Sequence, residues 1–260
     1  MSRKNIASSN STSDSSGNSQ AKCHHNPLVS CGDCRLNAIC LPISLHVDDI
    51  DRLDEIIQRG RPLQKGEYLY HTGAPFRSVF AIRSGTIKAI SITNGGQEQV
   101  TGFYLPGEIL GMDGIAQNHH TNSAIALETA AVCEIPFSRL EELSLKLPGL
   151  QRHFFSLMSK EITSDQQLIT LLSKNSADER VASLLLSIST RNHHRHLSAT
   201  CFRLPMSRAD IGNYLGLTIE TVSRVLSRFQ KSNLLAVDKK EITILDMDAL
   251  KKVAQAESRC

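Results

Sequence analysis

Tryptophan is absent, and aromatic residues make up only 5% of the 260 residues. That leaves little of the stacking surface on which single-stranded bases or sugars are held. No run of about 18 apolar residues occurs, so no membrane-spanning helix is expected and no membrane partner. Arg3 and Lys4 are not followed by the apolar core of a secretory signal. A cytoplasmic chain keeps its thiols reduced, so the seven cysteines are not read as a disulfide framework. None of the phosphate-loop, G-x-S-x-G or H-E-x-x-H patterns occurs, and nothing points to an enzyme.

What is present is a core-forming composition, 40% hydrophobic and 21% charged, which excludes wholesale disorder. The length suggests two domains. The net charge of +3 is unevenly placed. Residues 1–173 hold 15 Lys+Arg against 17 Asp+Glu, and residues 174–260 hold 14 against 9. A basic C-terminal part suits a polyanion.

Residues 1–22 carry eight serines and too few apolar groups to offset their ordering entropy, so a disordered tail is expected. A helix is expected from Val47 to Ile57. From Pro62 to Pro136, short β runs such as Val79–Ile82 and Thr86–Ile90 alternate with Gly73, Gly85, Gly95-Gly96, Gly102 and Pro106-Gly107. This is the pattern of a sandwich or barrel-like roll. Ser138 is expected to cap a short helix, with Glu141 completing a capping box, and Pro148 to open a long one. Along the long helix Leu150, Phe154, Leu157, Met158, Ile162, Leu168, Ile169 and Leu172 approximate an a/d stripe interrupted at Asp165. Such a helix bridges domains, pairs with its own copy, or packs as an ordinary amphipathic core helix. Residues 176–190 read as helix and Arg191–Ala199 as a polar loop.

A helix–turn–helix is expected at 207–230. Ser207 and Thr218 stand at cap positions, and Gly216 sits at the turn. Ile211, Leu215, Leu217, Val222, Leu226 and Phe229 fit the inward positions. Glu220, Ser223, Arg224, Ser227 and Arg228 fall on the outward face of the second helix. Arg224 can bond guanine O6 and N7, Glu220 can accept from cytosine N4, and Ser223 can meet either edge. Arg208, Arg228 and Lys231 suit phosphates. A hairpin around Lys239-Lys240 would form a wing.

Cys31-x2-Cys34-x5-Cys40 places three thiols within ten residues. A tetrahedral zinc or a four-iron cluster wants four ligands. Spacing leaves the metal open, and leaves the fourth ligand open among Cys23, Cys133, Cys201 and a histidine. The pairs His24-His25, His119-His120 and the run His193–His196 are read as polar loop residues.

Together the stretches Cys31-Gly-Asp-Cys34, Cys40, Ala81–Lys88, Glu128-Thr129, Val132–Pro136, Asp210–Thr218, Glu220–Arg224 and Arg228–Ser232 resemble the CRP/FNR superfamily, in its oxygen-sensing iron–sulfur branch. The resemblance spans about 28–250. It implies an α+β fold: an N-terminal cyclic-nucleotide-binding-like β-roll, a long dimerisation helix and a C-terminal winged helix-turn-helix domain. The expected divisions are a tail (1–22), a cysteine-rich segment (23–45), the β-roll with flanking helices (46–147), the dimerisation helix (148–174), the DNA-binding domain (175–250) and a tail (251–260). It implies a [4Fe-4S] cluster on Cys31, Cys34, Cys40 and Cys133, converted to [2Fe-2S] by oxygen, with Cys23 left as a non-ligand. It also implies a cluster-dependent homodimer on a TTGAT–N4–ATCAA-like dyad, read by Glu220, Ser223 and Arg224. RNA polymerase is the further partner, met by the loop Ile92–Gln97, and anaerobic respiration genes are the targets. Within the dimer Ile162 favours pairing and Asp165, facing its copy, opposes it. His119–Ala124 lacks the arginine that cyclic-nucleotide members place on the phosphate, so no cAMP binding is expected. The alternative is a zinc-stabilised DNA-binding regulator that does not sense oxygen.

Overall fold

The structure, a computed structural model, describes residues 29–93 and 95–255. The expected tail 1–22, Cys23, His24-His25, Asn94 of the loop 92–97 and Cys260 lie outside the described residues.

The chain opens with turns across the cysteine segment and a 3-10 turn, Leu41–Ser44, then helix α1, Val47–Ile56. Asp48 and Asp49 stand in the first turn of α1, where they complement the helix dipole. Eight strands follow: β1 (Gln58–Arg59), β2 (Tyr68–Tyr70), β3 (Ser78–Ser84), β4 (Ile87–Ile92), β5 (Glu98–Tyr104), β6 (Ile109–Leu110), β7 (Ser123–Ala126) and β8 (Ala131–Pro136). They form two four-stranded antiparallel sheets, ordered β1-β8-β3-β6 and β2-β7-β4-β5. In β3 the period of two separates two cores. Val79 and Ala81 pack toward the helices, while Phe80 and Ile82 pack between the sheets. The turn into β4 needs Gly85: its φ is +77°, and a Cβ there would lie 2.5 Å from the Thr129 carbonyl oxygen.

Helix α2 (Phe137–Lys146) leads into α3 (Pro148–Lys174). The expected Ser138 cap is not formed. The cap falls two residues earlier, at Pro136, with no side-chain cap bond, because β8 runs straight into the helix. Helix α4 (Ala177–His194) opens on a capping box between Ser176 and Glu179. It continues through His194, so the expected polar loop from Arg191 is helical in its first turn. Asn192 is buried there and Ser189 bonds the Ala199 carbonyl at 2.6 Å.

The C-terminal part comprises β9 (Cys201–Arg203), α5 (Arg208–Leu215), α6 (Ile219–Lys231), β10 (Leu235–Asp238), β11 (Glu241–Ile244) and α7 (Met247–Ala254). The hairpin β10–β11 gains β9 as a third, antiparallel strand. Helix α7 extends past 250, where a tail was expected. Its Leu250 is fully buried. The helix–turn–helix geometry follows its sequence cues. Ser207 and Thr218 cap α5 and α6, and Gly216 is left-handed at φ +63°. Ile211, Leu215, Val222, Leu226 and Phe229 are buried, and Leu217 is half-buried.

Candidate functional site: a cysteine cavity, an exposed helix seam and the outer face of a helix–turn–helix

Cys31, Cys34, Cys40 and Cys133 line one small cavity, with Leu36, Leu41, Ile57, Arg59, Arg83 and Ile135 among its other walls. Strand β8 brings Cys133 there, opposite Arg59 of β1 and Ala81 of β3. The loop is fastened by local bonds: Cys34 N–H to the Cys31 carbonyl (3.4 Å), and Cys40 N–H to the Leu36 carbonyl (2.9 Å). Cys31 N–H donates to Asp54 Oδ1 at 2.7 Å. Cys201 is exposed on β9 and has no place in this cavity.

Burial pushes the Cys40 thiol up to about 12, against a lowering hydrogen bond from Leu41; neighbouring Cys133 and Cys34 raise it further. Burial raises Cys31, and Asp54 adds to it. Burial raises Cys133, opposed by Arg59 and Arg83. These three are therefore thiols at neutral pH, and a metal would displace their protons on binding.

Four sulfur donors in an apolar pocket with arginines on its wall fit the chemistry of an iron–sulfur centre. The cavity is small and partly open, walled by the four cysteines and by apolar side chains. Among the described residues no three Cys, His, Asp or Glu side chains already stand at metal-holding spacing.

The stripe on α3 divides into two faces. Leu150 and Phe154 are buried against the β-roll, with Leu157 and Met158 packed partly beside them. Phe155 (57%), Ile162 (59%) and Ile169 (67%) are exposed at spacings of seven, which is one seam of a coiled coil. Met158, Asp165 and Leu172 fall three residues after each of them. Phe155 was not singled out from sequence, because Phe154 beside it satisfied the same periodicity. Asp165 is exposed, yet its carboxyl is raised by partial desolvation. Its charge also helps raise Glu161, four residues back, where burial is the larger cause. Glu161 accepts from the Tyr104 hydroxyl of β5 at 2.5 Å.

On α6, Glu220, Arg224, Arg228 and Lys231 are exposed and Ser223 is half-buried. Glu220 is held below the usual carboxylate range by its own backbone N–H, with Thr218 and Arg224 helping. Arg208 of α5 donates to Ser223 Oγ at 3.1 Å, and Arg228 pairs with Asp178 of α4. Lys240 of the hairpin donates to the Pro205 carbonyl at 2.6 Å, so Lys239 is the exposed one of that pair.

Helix α5 docks on the β-roll, a junction without any local sequence signal. Lys88 of β4 pairs with Asp210 at 2.6 Å. Asn213 bonds Val100 N–H and the Glu98 carbonyl, and Gln99 donates to the Asn213 carbonyl. Arg191 of α4 pairs with Glu108. Near the Met112–Gly114 turn, Asp113 Oδ2 accepts from Thr121 N–H (2.8 Å) and Asn122 N–H (3.0 Å). His120 is buried there, stacked on Tyr70 with centroids 3.8 Å apart.

Residues 60–146 match the family model described as a cyclic nucleotide-binding domain, and residues 179–253 match the Crp-like helix-turn-helix domain. The chain is 56% identical over 220 residues to the transcriptional activator protein anr of Pseudomonas aeruginosa, covering 85% of this chain and 90% of the relative. It is 50% identical over 226 residues to the fumarate and nitrate reduction regulatory protein of Escherichia coli K12, covering 87% and 90%. Among solved structures, FixK2 from Bradyrhizobium japonicum superposes with a TM-score of 0.71 at 28% identity, covering 78% of this chain and 100% of the other.

Proposed function

The chain belongs to the CRP/FNR family of transcription regulators, and from that premise we propose that it is an oxygen-responsive regulator holding a [4Fe-4S] cluster on Cys31, Cys34, Cys40 and Cys133. The observation that carries this reading is the convergence of three loop cysteines and one strand cysteine on a single apolar cavity. Bound there by these four cysteines, such a cluster would supply an oxygen-labile centre.

The chain's own residues do the rest. Cys31, Cys34 and Cys40 tie the N-terminal loop to Cys133 of β8. Phe155, Ile162 and Ile169 offer an apolar seam to a second copy, and Asp165 opposes that pairing by like charge. A two-fold dimer sets two α6 helices in successive major grooves of a TTGAT–N4–ATCAA-like dyad. Glu220, Ser223 and Arg224 then meet base edges, while Arg208, Arg228 and Lys231 meet phosphates. Arg228 must exchange Asp178 for DNA, and Arg208 must release Ser223. RNA polymerase is the further partner, through the loop Ile92–Gln97, at genes of anaerobic respiration. The carboxylate of Asp113 already takes the N–H donors of Thr121 and Asn122, which supports the reading that a cyclic phosphate is not the effector.

The test is anaerobic purification with iron, acid-labile sulfide and zinc analysis, followed by binding to the dyad before and after air. Iron and sulfide near four per chain, a brown colour that fades in air, and DNA binding lost with it are the expected results. A colourless protein with stoichiometric zinc and air-insensitive DNA binding would establish the zinc-stabilised regulator instead.

A further inference from the structure

We propose that Arg59 is a charge-compensating residue of the cysteine cavity, beside Arg83 on the same wall and held at its post by Asp54; the inference rests on the iron–sulfur reading above. Arg59 lies on β1 directly opposite Cys133 in the β1–β8 pairing. Its Nη2 is 3.9 Å from Cys31 Sγ, and the side chain forms part of the cavity wall. The same Nη2 pairs with Asp54, and Asp54 Oδ1 also accepts the Cys31 N–H. One carboxylate of α1 thus fixes both the guanidinium and the backbone of the first ligand. Arg59 Nε is buried with no hydrogen-bond partner, a donor left over at the edge of a sulfur-lined pocket.

A buried donor without an acceptor is costly, and so is a buried anion without a cation. A four-iron core of formal charge about +2 with four thiolates leaves a unit near −2. Beside it, Arg59 supplies positive charge and a free N–H, and each need is met by the other. The pair also balances itself: Asp54 offsets part of the arginine's charge. Removing one partner therefore pushes the cluster's electronics one way, and removing the other pushes them the opposite way. Adding an electron makes the unit more negative, so loss of Arg59 disfavours reduction and loss of Asp54 favours it.

The experiment compares wild type, Arg59→Leu, Arg59→Lys and Asp54→Asn after anaerobic reconstitution. Elution volume and thermal melting of the metal-free proteins check folding. Iron and sulfide per chain, the midpoint potential by dithionite titration, and the half-life of the visible absorbance in air are then read. Arg59→Leu is expected to lower the potential and shorten the half-life at least tenfold; one unit charge at about 4 Å and an effective dielectric near 20 supports up to roughly a thousandfold, from which the offsetting charge of Asp54 subtracts. Arg59→Lys restores both, and Asp54→Asn raises the potential. If Arg59→Leu does not fold, Arg59→Gln makes the same charge change. Potentials unchanged in all variants, or moved in the same direction by Arg59→Leu and Asp54→Asn, overturn the proposal and leave a structural clamp. A wild type that binds no iron and sulfide overturns the iron–sulfur reading, and this proposal with it.

Discussion

The exposed seam of α3 sets two opposing substitutions against each other, Ile162→Ala and Asp165→Ala. Ile162 is 59% exposed in the single chain, and full burial of an isoleucine is worth ~1.5–3 kcal/mol. Covering the exposed part in a dimer therefore contributes ~1–2 kcal/mol per copy. Both copies together weaken association about 10- to 200-fold when truncated, once the alanine methyl is allowed for. For Asp165, helix axes ~8–10 Å apart place the two carboxylates roughly 6–8 Å from each other. Their repulsion is ~0.5 kcal/mol in water and ~2–3 kcal/mol at an effective dielectric of 20. Asp165→Ala is then expected to tighten the dimer about 2- to 150-fold. Desolvation already raises the Asp165 carboxyl in the single chain, and the sign of the pH effect follows from the further rise that facing its copy causes. Pairing raises it further, so association strengthens as pH falls from 7 toward the carboxylate range, by at most about two protons per dimer. Sedimentation velocity of the metal-free protein across concentration and pH reads all three quantities. The reasoning is refuted if Asp165→Ala keeps the wild-type pH slope, or if Ile162→Ala and wild type dissociate at the same concentration.

Cys133→Ser is expected to abolish bound iron and sulfide, while Cys201→Ser on exposed β9 leaves both unchanged; metal analysis after anaerobic reconstitution decides it. Arg224→Ala should cost about 1–3 kcal/mol on the dyad and relax base preference, whereas Lys231→Ala should weaken all sequences alike and reduce the salt slope by about one, as read by fluorescence anisotropy over a salt series. Asp210→Asn removes the Lys88 ion pair at the docking face of α5 and should cost about 1–3 kcal/mol in denaturant unfolding. Burial opposes the Asp210 charge, but Lys88 and Ser207 outweigh it and hold the carboxyl below its usual range. Its contribution is thus present above the ordinary carboxylate value and lost as pH falls through the lowered one, so wild type and variant should converge in acid.

Features carried by short spacings were legible in the sequence. Ser207, Gly216 and Thr218 mark the ends of α5 and α6 because caps and turns are decided within four residues. The glycine-punctuated β runs likewise announced strands β2 to β5. What depended on distant partners was not legible. Ser138 looked like a cap, but β8 feeds the helix from Pro136. Strand β9 is three residues long and exists through its pairing with β11. The stripe on α3 read as one face because Phe154 and Phe155 are adjacent. Only the packing of Phe154 against the β-roll shows that Phe155 belongs to a second face. Lys88, Asp210 and Asn213 are ordinary surface residues by sequence, since nothing local says that one domain covers the other. Arg59 was missed for the same reason: its role depends on Cys31, Asp54 and Cys133, each on a different element.

The packing joins the cysteine cavity to the helix seam without any intermediary domain. Cys40 and Cys133 belong to the same packed cluster as Leu41, Leu53, Ile135, Leu150 and Phe154, with Leu157 and Met158 at its edge. Leu41 follows Cys40 directly and is almost wholly buried. The 3-10 turn it opens lies against α3. A shift of Cys40 on metal binding would be passed on by a close-packed interior rather than absorbed. Leu150 and Phe154 would receive it, on the helix whose other face carries Phe155 and Ile162. The Tyr104–Glu161 bond on the same helix then resists rotation from the β5 side. On the proposed reading, occupancy of the cavity would bear on the seam through this one helix, which Cys40 and Leu41 contact on one side and Tyr104 bonds from the other.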